Sequence, residues 1–199
     1  MRMENVRYRM VMAEPRTRLS AESWATAALD AIGEGGLAAV AVEPIAARLG
    51  ATKGSFYWHF ANRDALVAAA LARWEERHTG RVIAEVEAAA SDPARRLRLL
   101  FAAVTGHARA DAIELALLAA ADHPLVGPVV ERVARRRIDY LVGLFSAIGF
   151  PAAEAKRRGL WAYSTYLGNL QLAGRMPGLL PGGRAADRYL DSIMDTMLS

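Results

Sequence analysis

Residues 49–66 read LGATKGSFYWHFANRDAL and hold most of the residues whose types and spacing could do chemistry. Phe56, Tyr57, Trp58, His59 and Phe60 are five consecutive rings, preceded by Thr52, Lys53, Gly54 and Ser55 and followed by Arg63. On a helix, successive side chains lie about 100° apart, so five rings in a row cannot form one patch. Phe56 and Phe60, four apart, share a face and are expected to pack on Ile45 and Leu49. Lys53, Tyr57 and the Gly54–Ser55 edge then look outward, where they suit a polyanion. A helix that opens at Thr52 offers unpaired N–H groups and a positive dipole end, and both favour phosphate oxygens. Gly54 adds no bulk, so the backbone can come close to a groove. Lys53 can reach guanine acceptors, and Ser55 can bond a base edge or a phosphate. Tyr57 and His59 can donate to phosphates, and Arg63 can hold the backbone electrostatically.

These groups need a frame of helices. Nearly every segment is rich in Ala, Leu, Arg and Glu with apolar residues at three- and four-residue spacing, and no alternating runs suggest strands. Ser20 caps a first helix carrying Trp24, Ala28 and Ile32, which Gly35-Gly36 stops. A short helix is predicted at about Glu43 to Leu49, with Gly50 as a left-handed cap, and a second over Lys53 to Phe60, capped by Thr52. Asn62 caps a longer helix from Arg63 through Leu66, Ala70 and Trp74, and five more helices follow before the C-terminus. The expectation is an all-α chain of about nine helices. Residues 1–18 form a basic arm, 19–66 a helix-turn-helix domain and 67–199 a larger helical domain.

Composition narrows the choice. With 53% hydrophobic residues among 199, the chain can build a sizeable core. Its formal net charge is +4, with five arginines against two glutamates in residues 1–18. No apolar run is long enough to span a bilayer, the basic N-terminus lacks a signal-peptide core, and cysteine is absent. The expected location is the cytoplasm, with no membrane partner. His59, His78, His107 and His123 have no metal-ligand spacing, and there is no nucleophile elbow or phosphate loop. No catalytic residue, metal or cofactor is therefore expected. The runs Arg135-Arg136-Arg137 and Lys156-Arg157-Arg158 read as solvated helix faces.

The order Ile-Ala-x-x-Leu-Gly, Lys-Gly-Ser-x-Tyr-x-His-Phe, Asn-Arg-x-x-Leu over residues 45–66 resembles the DNA-binding domain of the tetracycline-repressor (TetR) family of transcription regulators. The resemblance puts Lys53, Gly54 and Ser55 where that family reads bases. It puts Thr52, Tyr57, His59 and Arg63 at phosphate-contacting positions, with Trp58 near them. Two departures stand out. Ala41 occupies the place where the family has a Thr or Ser cap, a change that costs about 1 kcal/mol in typical hosts. Glu43-Pro44 stands where some members have a basic base-reading residue; Glu43 would repel phosphate or accept from a cytosine amino group. The basic arm could compensate in a minor groove.

For the larger part, the resemblance implies a cavity for a small effector and a dimer interface on the last two helices. Gly159, Ala162 and Leu170, with Tyr189, Ile193 and Met197, are the expected interface. Phe101, His107, Glu114, Tyr163, Tyr166 and Asn169 are the expected cavity residues, being polar or aromatic groups scattered on apolar helices. The implied function is a homodimeric repressor on a near-palindromic duplex operator, released by a small apolar or amphipathic effector. Two alternatives stay open: a regulator of the same fold controlled by a protein partner, and a helical hydrophobe-binding protein with no DNA function.

Overall fold

The computed structural model describes residues 19–104 and 108–199; the arm expected over residues 1–18 and the anchor expected at His107 lie outside them. The described residues form α1 (Ala21–Gly35), α2 (Val42–Arg48), α3 (Lys53–Phe56), α4 (Arg63–Glu75), α5 (Arg81–Ala89), α6 (Pro93–Val104), α7 (Ala108–Ala119), α8 (Gly127–Ile148), α9 (Ala152–Arg175) and α10 (Arg184–Leu198), and no strand. A π-helical segment, Glu76–Gly80, joins α4 to α5, so the ten helices make nine rods.

Local chemistry explains the boundaries. The Ser20, Thr52 and Asn62 side chains accept from the backbone N–H three residues on, at 3.2, 3.2 and 2.9 Å. Each satisfies an amide that the first turn leaves unpaired. Ala41 heads α2 with no side-chain cap, as its sequence position implies. Gly50 has φ +61 and turns the chain between α2 and α3; Gly149 has φ +116 and ends α8. Asp92, not anticipated as a cap, accepts from the Arg95 N–H at 2.7 Å and starts α6.

Two apolar cores result. In the first, Trp24, Leu29 and Ile32 of α1 meet Ile45, Phe56, Phe60, Leu66, Leu71 and Trp74. This cluster also takes in Ile113 and Leu117 of α7 and Val126 and Val133, so it is not confined to residues 19–66. The second gathers Leu97, Phe101, Leu141, Leu144, Phe145, Ala155, Ala162, Tyr163, Met194 and Met197. Each large side chain buried this way contributes about 1.5–3 kcal/mol.

The α8–α9 contact corrects the expected dimer surface. A Cβ on Gly159 would lie 2.6 Å from Val142 Cγ2 and 3.1 Å from the Val142 nitrogen. Gly159, Ala162, Leu170 and Met197 are all buried inside this chain, and Ile193 is half-buried against the same core. Their small or apolar character serves the chain's own packing, and of the six only Tyr189 is exposed. The outer face of α9 instead shows Leu160 and Trp161, 56% and 45% exposed, with Ser164, Gly168 and Gln171 continuing the stripe. Nor is Arg158 a solvated cation. It lies over the Phe150 ring at 4.0 Å and donates to Glu154 at 2.7 Å and to the Met197 carbonyl.

Gly159→Val should destabilise the fold by about 1–3 kcal/mol through overpacking. Gly143→Ala, where a Cβ meets nothing within 4 Å, should stabilise it by about 0.5–1 kcal/mol. Urea unfolding of the two variants checks both signs.

Candidate nucleic-acid interface and effector cavity

The α2–α3 turn is built from backbone. Ala51 N–H returns to the Ala46 carbonyl at 2.8 Å around left-handed Gly50, and Thr52 then caps α3. The helix predicted over Lys53 to Phe60 is regular only through Phe56; beyond it the chain turns, with His59 and Phe60 N–H groups both donating to the Phe56 carbonyl, at 2.9 and 3.0 Å. The five rings divide. Phe56 and Phe60 stack at 5.6 Å inside the first core, with Trp24 edge-on to Phe56 at 5.5 Å. Tyr57, Trp58 and His59 lie outside, Trp58 being 87% exposed. Tyr57 beside it is 57% exposed, so two large rings stand next to each other at the surface.

The polar edge beside these rings is already partly engaged. Lys53 Nζ donates to Glu43 Oε1 at 2.8 Å, linking α3 to α2. That hydrogen bond, with the attraction between the charges, raises the Lys53 ammonium and lowers the Glu43 carboxyl relative to their ordinary values. Both groups are solvent-exposed, so the pair is readily exchanged. Ser55 donates its hydroxyl to the Thr52 carbonyl at 2.9 Å. Gly54 is exposed, and a Cβ there would meet only Thr52 Oγ1, at 3.7 Å. Arg63 departs from its expected place at a phosphate. Its Nε donates to the Val40 carbonyl and its Nη2 to the Leu37 carbonyl, both at 2.7 Å, and Nη1 lies 3.7 Å from Asp64. It ties the start of α4 to the turn before α2.

In the larger part, a cavity of about 50 Å³ lies among α5, α6, α8, α9 and the π-helical segment. Of the expected residues, Phe101, Tyr163 and Tyr166 line it. Asn169 does not; its amide donates to the Thr165 carbonyl at 2.9 Å. Glu114 lies behind the wall, paired with Arg137, which does line the cavity. Sequence reading missed His78, Thr79, Arg137 and Tyr140. For Arg137 a signal existed. Val133, Arg137, Leu141 and Phe145 recur every four residues, so the arginine falls on the buried stripe of α8 and not on the solvated face expected for the run.

Arg137 is the centre of a buried network, with its side chain 12% exposed against 5% for Glu114. Nη1 and Nη2 grip the two Glu114 oxygens at 2.6 and 3.1 Å. Nε donates to Thr79 Oγ1 at 2.9 Å, and Nη2 also reaches the His78 carbonyl at 3.2 Å. Rings of Trp74 and Tyr166 lie 5.5 and 5.8 Å from the guanidinium, within cation–π range. Burial opposes the charge, but Glu114 more than offsets it and holds Arg137 above its usual range. His78 is pushed below the ordinary imidazole value by burial. Its Nδ1 lies 3.3 Å from the Trp74 carbonyl, which fixes Nδ1 as the donor.

Glu114→Gln would leave the guanidinium buried without its counter-charge and should destabilise the fold by about 3–5 kcal/mol. The double change Glu114→Leu with Arg137→Met should be far milder. Denaturation midpoints of the two variants test the contrast.

The described residues thus place a capped helix-turn-helix with exposed rings on an all-helical body. Residues 26–70 match the family model described as bacterial regulatory proteins, tetR family. A transcriptional regulator from Rhodococcus sp. Rha1 has a similar solved structure, with TM-score 0.73, 26% identity, and coverage of 90% of this chain and 94% of that one. A TetR-family regulator from Agrobacterium tumefaciens gives 0.66 at 20% identity, covering 89% and 95%. The ketosteroid transcriptional regulator KstR2 of Mycobacterium tuberculosis gives 0.60 at 20% identity, covering 94% of each chain. No curated protein matches the chain by sequence. No helix among the described residues is long and apolar enough to cross a membrane.

Proposed function

We propose that the chain acts as a homodimeric, ligand-responsive repressor on a near-palindromic operator. One observation carries the reading: the ring cluster is split, with Phe56 and Phe60 anchoring a turn on which Thr52, Lys53, Gly54, Tyr57, Trp58 and His59 are exposed and Ser55 is half-buried. In this reading Lys53, Gly54 and Ser55 face bases, while Thr52, Tyr57, Trp58 and His59 face phosphates. Arg63 contributes from behind, by holding α4 to the head. The dimer surface is the exposed stripe of α9 around Leu160 and Trp161, joined by Tyr189 of α10. Two heads must then meet half-sites ~34–36 Å apart, one turn of duplex.

Control runs along one rod. His78 and Thr79 in the π-helical segment help form the cavity wall, and the same rod continues as α4 into the head. A guest that displaces this wall tilts α4 and changes head separation. It can do so only by as much as its affinity differs between the two arrangements. The cavity's size favours a second reading as well: about 50 Å³ is far below the 300–1,000 Å³ of common ligand sites, which suits control by a protein partner instead.

Binding to duplexes selected from a random pool tests the head. Tyr57→Ala should weaken binding to every sequence alike. Lys53→Ala should relax preference at one or two base pairs by about 1–3 kcal/mol; a uniform loss would remove its base-reading role. Sedimentation tests the pairing: the wild-type chain should run as a dimer and Trp161→Glu as a monomer with an unchanged circular-dichroism spectrum. A monomeric wild type at micromolar concentration refutes the dimer.

A further inference from the structure

We infer that the cavity receives an uncharged, ring-bearing molecule with one hydrogen-bond acceptor, that the Tyr140 hydroxyl meets this acceptor, and that the molecule enters past Tyr140. The inference rests on the ligand-responsive reading and names the chemistry of its ligand.

Charge comes first. The ionic side chain on the cavity wall, Arg137, is neutralised by a two-pronged Glu114 and further held by Thr79 and the His78 carbonyl. A carboxylate guest would have to share that guanidinium with Glu114, placing two anions side by side in an apolar site. An ammonium guest would find Glu114 already taken. Burying an unpaired charge is among the least favourable events in a protein interior, so a neutral guest is selected. Shape comes next: Val82, Phe101, Leu141, Tyr163 and Tyr166 give aliphatic and aromatic walls that suit a ring.

Tyr140 supplies polarity and passage. Its hydroxyl is buried and has no hydrogen-bond partner, unlike the satisfied groups around Arg137. A buried donor without an acceptor is unfavourable, so an acceptor brought by a guest is strongly preferred at that place. Tyr140 also lines a neighbouring groove of about 350 Å³, together with Glu87, Arg96 and Asp139. One side chain therefore lines both the apolar chamber and the neighbouring groove. Rotation of that ring joins the two spaces, which is how a chamber of about 50 Å³ can admit a guest larger than a single ring.

Calorimetric titration of the full chain with four small probes tests this. Acetophenone is neutral with an acceptor, ethylbenzene neutral without one, benzoate anionic and benzylamine cationic. Acetophenone should bind most tightly, with benzoate and benzylamine at least 10-fold weaker. Tyr140→Phe, which keeps the ring, should weaken acetophenone about 5–10-fold and leave ethylbenzene unchanged. Tighter binding of benzoate than of acetophenone, indifference of acetophenone to Tyr140→Phe, or no binding by any probe would each overturn the inference. Duplex binding is measured separately. If benzoate binds and releases DNA, the ligand-responsive reading stands while this inference falls; if the chain holds no specific duplex, the regulator reading itself falls.

Discussion

A guanidinium removed from water needs partners for its N–H groups, and Arg137 finds them on two other stretches of chain. Glu114 comes from α7, Thr79 and the His78 carbonyl from the π-helical segment, and the arginine itself from the middle of α8. None of these pieces could move far without exposing a charge to an apolar interior. The network therefore sets where the rod from α4 to α5 lies against the larger body. It also explains why the π-helical turn persists. Arg81 N–H closes on the Glu76 carbonyl five residues back, an arrangement weaker than the ordinary helix, and Thr79 within it is held by Arg137.

The head is organised by a different principle. There the decisive contacts are ring on ring, Trp24 on Phe56 on Phe60, and they make a short turn rigid enough to present its outer edge. Regular helix contributes little, since α3 has a single turn. Arg63 and the Asn62 cap then couple this turn to the rod behind it. The molecule thus joins a head fixed by aromatic packing to a body fixed by a buried ion pair, with one interrupted rod between them.

Much of this was legible in the residues. Side chains with a local job were readable: Ser20, Thr52 and Asn62 as caps, Gly50 as a left-handed turn, Phe56 and Phe60 as an inward pair. The bounds Ala152 to Arg175 for the longest helix follow from Pro151 before it and the Met176-Pro177-Gly178 turn after it. What was not legible depends on which neighbour a face meets. Gly159 and Ala162 look alike whether they admit a second copy or the chain's own α8, and only the Val142 contact decides. The π-helical turn has no sequence mark, because ERHTG is compatible with an ordinary helix and packing imposes the extra residue. Arg63 shows the same limit, since a cation in the first turn of a helix can face either a ligand or a carbonyl.

Glu43 gives the Lys53 ammonium an intramolecular counterion. On the proposed reading, a duplex would displace that exposed carboxylate at small cost and leave a negative group facing its sugar-phosphate rail. Indiscriminate adhesion is thereby discouraged, while a site whose base edges reward the freed ammonium can complete the exchange. On that same reading the carboxylate is a small toll on loose sliding contacts, carried by the helix before α3.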